Sequence, residues 1–121
     1  MVVAYWIVAG LLALFYVYSG SIKVLQSREK LRPMMAWVDD VPLPAVRAIG
    51  VVEVLGALGL ILPPLLGIAP GLALAAAVGL LVLQVAATLF HLSRGERDNI
   101  GLNVGLVVVT AVLVWLAGVW L

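Results

Sequence analysis

Glu53 is the only acidic residue set well inside an apolar stretch of this chain. A charged side chain at the centre of a membrane helix costs about 2.5–3.5 kcal/mol on insertion scales, so it normally faces protein or water. There it can act as an acid, a base or the partner of a cation. Other polar residues recur at helical spacing. Gln84, Thr88 and His91 step by four and three, which places them on one helical face. Tyr16, Ser19 and Lys23 step by three and four in the same way. Asn103 stands a turn inside the last apolar stretch. The expected ligand-binding pocket is therefore Tyr16, Lys23, Glu53, Gln84, Thr88, His91 and Asn103, with no metal.

A plainer role competes at each position. Glu53 can pair with Lys23 or His91 and simply fix helix packing. Interhelical hydrogen bonds average only about 0.6 kcal/mol, less than the cost of inserting the acid, which favours a pocket. His91, at the edge of its stretch, also fits an ordinary interfacial histidine.

The composition shows what must position these groups. The chain has 121 residues, 65% hydrophobic and 11% charged, and a mean hydropathy of +1.25. Soluble domains carry about 45–50% apolar and about 25% charged residues. A water-soluble domain and a disordered chain are both excluded. The expectation is one all-α domain over residues 1–121, an integral membrane four-helix bundle. A net charge of +1 offers no field for nucleic acid. With no cysteine, Fe–S clusters and thiolate zinc are excluded, and a lone histidine cannot supply a bis-His haem.

A membrane helix needs about 20 mostly apolar residues. Four stretches qualify, at about 2–22, 45–62, 68–90 and 100–121. The first has no basic start and is too long for the apolar region of a signal peptide, so it is expected to be retained. At about 1.5 Å per residue, Glu53 lies about 12 Å into the second span, and Gln84 about 10 Å from the far end of the third.

All seven Lys and Arg belong to the first and third connections or their edges, and the second connection has none. The positive-inside rule then places connections one and three in the cytoplasm and both termini outside. The deep polar residues share the cytoplasmic half. The expected location is the inner membrane of a bacterial cell.

The connections carry their own signals. Pro63 and Pro64 are expected to end the second span abruptly, with Gly67 allowing the reversal. Residues 23–44 interleave apolar and charged side chains. They suit an interfacial segment anchored by Trp37, or one folded back over the mouth of the bundle. Small residues line helix faces: Gly50, Ala57, Gly56 and Gly59, then Ala73, Ala76 and Ala77, then Gly101-x-x-x-Gly105. These are expected to pack within the monomer.

Tyr18-Ser-Gly20-Ser-Ile-Lys23 closes the first span, and Asp40-Val-Pro-Leu-Pro44 precedes the second. Gly50-Val-Val-Glu53-Val-Leu-Gly56-Ala-Leu-Gly59 runs on to Pro63, and His91 is followed by Arg94-Gly95-Glu96. Over essentially the whole chain this resembles the DoxX-like family of small membrane proteins. The resemblance implies a four-helix membrane bundle, and Lys23, Glu53 and His91 match the family's characteristic polar positions. The family name comes from a subunit of a thiosulfate–quinone oxidoreductase, and other relatives are linked to oxidative-stress complexes or receptor assembly. A redox role would require a bound quinone or a partner subunit, membrane-embedded or peripheral.

Three functions fit. The first is an accessory protein holding a small amphipathic molecule, a quinone or a membrane lipid, in the cytoplasmic half. The second is a subunit of a quinone-linked oxidoreductase, with Glu53 and His91 passing protons. The third is an assembly factor or chaperone that uses helix faces and no pocket.

Overall fold

The structure is a computed structural model that describes residues 1–33, 35, 38, 41–95 and 100–121. Four long helices dominate it: α1 (Val2–Leu25), α3 (Leu43–Leu66), α4 (Leu72–Ser93) and α5 (Ile100–Ala117). The short α2 (Arg28–Leu31) lies between α1 and α3, and one 3₁₀ turn (Gly118–Trp120) extends α5. Each long helix, α5 taken with its terminal turn, is long and apolar enough to cross a membrane. The protein is an all-α membrane four-helix bundle.

All four long helices contribute to the core. Tyr5, Ala9, Leu12, Ala13 and Tyr16 of α1 pack with Ala57 and Leu60 of α3. Ala73, Ala77 and Leu80 of α4 and Leu113, Leu116 and Ala117 of α5 complete it. Leu14, Leu55, Val82 and Trp115 point outward, as expected where the surroundings are hydrocarbon. Tyr5, Trp6 and Trp120 meet edge to face at one end, with Tyr5 and Trp120 centroids 5.2 Å apart. This aromatic end lies opposite the basic end, where Lys23 and Arg47 sit.

The closest approach is between α1 and α3. A Cβ on Gly20 would stand 2.5 Å from the Gly50 carbonyl oxygen, and one on Gly50 would stand 2.6 Å from that of Gly20. The two backbones touch there, which only a residue without a side chain allows. Gly59 similarly faces the Ala76 methyl group of α4, where an added Cβ would come within 2.9 Å.

Two expectations need correction. The proline pair does not end its helix: α3 continues through Pro63 and Pro64 to Leu66 and is closed by Gly67 in the left-handed conformation, φ 70°. The proline φ is compatible with a helix; what is lost is the amide donor, and the ring crowds the carbonyl four residues before it. Pro64 therefore frees the Leu60 carbonyl, which accepts instead from the Tyr5 hydroxyl at 2.6 Å. The turn falls after the prolines, and α4 begins at Leu72.

Secondly, among the described residues Gly101 and Gly105 have nothing within 4 Å of an added Cβ, so this small face packs against none of the described helices. Size alone permits close approach without dictating which face turns inward. Of the two courses expected for the first connection, its described part takes the second and folds back onto the bundle. Leu31 and Val38 are fully buried with Val46 of α3, and the Arg28 guanidinium donates to the Val38 carbonyl. Trp37, the expected anchor, lies outside the described residues.

Candidate functional site

Lys23 closes the α1 row begun by Tyr16 and Ser19, and this row turns into the bundle because Gly20 brings α1 tight against α3. Glu53 is three residues beyond Gly50 on α3, so the glycine contact brings acid and base together. Lys23 Nζ and Glu53 Oε1 are 2.5 Å apart, with each side chain 8% exposed. The ammonium also donates to Ser19 Oγ at 3.1 Å. Glu53 Oε2 is buried and has no hydrogen-bond partner among the described residues.

Arg47 holds the end of this row in place. Its guanidinium donates to the backbone carbonyls of Lys23, at 2.7 Å, and Gln26. The last carbonyls of a helix have no intrahelical partner, and a cation there also suits the helix dipole. Arg47 thereby fixes the backbone from which the lysine extends.

A second polar group lies deeper on the same row. The Tyr16 hydroxyl is 3.5 Å from Gln84 Oε1 of α4 and 3.4 Å from Thr110 Oγ1 of α5. Tyr16 and Thr110 are essentially inaccessible, and Gln84 is buried. These contacts are long for hydrogen bonds to a hydroxyl, whose usual length is about 2.7–2.8 Å, so the three groups hold one another loosely.

Of the seven expected pocket residues, Tyr16, Lys23, Glu53 and Gln84 lie in these two buried groups. Among the described residues, the side chains of the other three stand apart from these side-chain contacts. The Thr88 hydroxyl donates back to the Gln84 carbonyl at 2.8 Å within its own helix. His91 is half-buried in the last turn of α4, its ring 6.0 Å from that of Phe90. Asn103 is half-buried near the start of α5. Ser19 and Thr110 belong to the groups but were not expected there. Ser19 stands between Tyr16 and Lys23 on the same row, and Thr110 is seven residues from Asn103, both readable spacings.

Beside Tyr16 and Thr110, an apolar groove of about 420 Å³ runs between α1 and α5. Leu11, Leu12 and Phe15 line one side and Gly105, Leu106 and Val109 the other. Leu12 precedes Tyr16 by one turn, as Leu106 precedes Thr110, so the groove adjoins the polar row.

A four-helix membrane bundle with a buried ion pair and a polar row across its helices defines a class of small integral membrane protein. More narrowly, this chain belongs to the DoxX-like family, whose model matches residues 7–115. No curated protein and no solved structure matches it.

Proposed function

We propose that this protein is an accessory membrane protein that holds a small amphipathic molecule, a quinone or a lipid. The head of the ligand sits at Glu53 and its apolar part runs toward the groove between α1 and α5. One observation carries this assignment: Glu53 Oε2 is buried without a partner among the described residues, next to a satisfied Oε1. A buried acceptor left unpaired costs about 1–3 kcal/mol, and more when charged, so a ligand that donates to it gains that much. Tyr16 and Lys23 are seven residues apart, about 10 Å along a helix, and the row leads from the ion pair to the groove. The groove volume falls in the usual range of ligand sites, about 300–1,000 Å³. The distribution of basic residues supports a cytoplasmic position for the Lys23 end and an inner-membrane location with both termini outside.

Native mass spectrometry of the purified protein, with lipid and quinone identification, tests this function. A stoichiometric amphipath is expected on the parent chain and lost from Glu53→Gln under conditions in which the variant is still folded. A parent chain free of any bound small molecule would leave the scaffold or assembly role in its place.

A further inference from the structure

Resting on the binding function proposed above, we infer that the ligand enters sideways from the membrane, through a seam between α1 and α5. Its hydrocarbon chain then lies in that seam, which Gly101 and Gly105 keep open.

Burial divides the bundle into two halves. α1 and α3 bury residues all the way to the basic end: Ser19, Gly20 and Lys23 on one, Val46, Gly50 and Glu53 on the other. On α4 the last buried residue is Gln84, and on α5 the first is Thr110. Residues 100–109 of α5 therefore run to the basic end without a fully buried side chain. They cover about 15 Å, one leaflet of a hydrocarbon core about 30 Å thick. The sequence supplies the cause. The mutual contact of Gly20 and Gly50 clamps α1 to α3 down to the last turn, whereas Gly101 and Gly105 present open space.

Both ends of the bundle are covered by described residues. Tyr5, Trp6 and Trp120 meet at the aromatic end, and Leu31, Val38 and Val46 form a buried cluster at the basic end. The groove between α1 and α5 instead opens on the side that faces hydrocarbon. Its 420 Å³ extends from Gly101 to Val109 on α5. Over that length, about 12 Å, the mean cross-section is about 35 Å², against about 80 Å² for a helix 10 Å across. A hydrocarbon chain can sink into such a groove, and a helix can only lie across its rim. At the inner end of the seam, Tyr16 bridges to Thr110 and Gln84 through contacts of 3.4 and 3.5 Å. A polar head carried in by the chain can replace these long contacts with shorter ones.

Bulky substitutions in and outside the seam test this route. The probes are a decyl benzoquinone and 1-oleoylglycerol, each uncharged and single-chained. Their uptake onto the detergent-purified protein is followed in time by native mass spectrometry. Gly101→Phe and Gly105→Phe fill the seam. Gly79→Phe is the control, because Gly79 also has open space around it but lies on α4, away from the groove. All three add a side chain where nothing is displaced, and each is checked by its thermal transition. Leu31→Ala loosens the cluster at the basic end. At least one probe should bind the parent, Gly79→Phe and Leu31→Ala at rates within about twofold, while the seam variants take it up at least about tenfold more slowly or retain tenfold less. Unchanged uptake in both seam variants overturns the inference and leaves the binding function standing. Unchanged uptake there, with faster uptake in Leu31→Ala, moves the entrance to the basic end. A dimeric parent that the seam variants turn into monomers, again at unchanged uptake, makes the groove an interface between copies instead. A parent that holds a co-purified amphipath but exchanges it for neither probe overturns the open seam alone. A parent with no amphipath and no uptake overturns the binding function as well.

Discussion

The Tyr5 hydroxyl donates to the Leu60 carbonyl at 2.6 Å, across 55 residues of chain. That carbonyl is the one whose helical donor is missing because residue 64 is proline. A side chain of α1 thus completes the backbone bonding of α3. In lipid, where no water can substitute, such completion is a requirement.

Tyr5→Phe should therefore lower the thermal stability of the detergent-solubilised protein by about 1–3 kcal/mol. Pro64→Ala returns an amide donor to Leu60. In that background, Tyr5→Phe should cost markedly less, by about 1 kcal/mol. Equal losses in the two backgrounds would disconnect the tyrosine from the proline.

The glycines divide into two kinds. An alanine at Gly20 drives its methyl group into the Gly50 carbonyl, a backbone atom that cannot swing away. A loss of about 1–3 kcal/mol is expected, as for other overpacked sites. Gly101→Ala meets open space and should be neutral or stabilising by up to about 1 kcal/mol, since alanine is the better helix former. Melting curves of the two variants make the comparison, and the reverse order would refute the packing.

Lys23 and Glu53 should behave as one unit. Removing one member of a buried pair costs about 3–5 kcal/mol, toward the lower end here because Lys23 lies near the bundle end. Lys23→Met and Glu53→Gln should each destabilise, and the double variant should lose less than their sum. Strict additivity in this cycle would mean that the two side chains do not interact.

Orientation is open to a direct test. With every basic residue in or beside connections one and three, a C-terminal alkaline phosphatase fusion should be active. A fluorescent reporter that matures only in the cytoplasm should stay dark at the same position. The opposite pattern would invert the bundle and move Glu53 to the outer half.

The four spans can be read from hydropathy because lipid imposes one rule on length and polarity along each helix. Lys23 and Glu53 stand out for the same reason: an ionisable group in an apolar stretch needs a partner. Spacing also marks Tyr16 and Gln84. For Thr88, spacing does not reveal the bond its hydroxyl makes to the preceding turn of its own helix. For α5, the face is readable but the depth is not. Asn103 and Thr110 share it, and only Thr110 reaches Tyr16. Pro64 misleads because the carbonyl it leaves free is satisfied by Tyr5, far away in sequence. Gly101 and Gly105 mislead because a small face is equally compatible with contact and with open space.

The ion pair also has a bearing on how the protein is made. Lys23 and Glu53 are 30 residues apart, and the lysine is synthesised first. When α3 leaves the ribosome, it brings a carboxylate that on its own disfavours entry into the bilayer. By then α1, which has no charge before Lys23, can already be lodged with its ammonium waiting at the rim. The order of synthesis thus puts the lysine of the pair on the earlier span and its carboxylate on the later one.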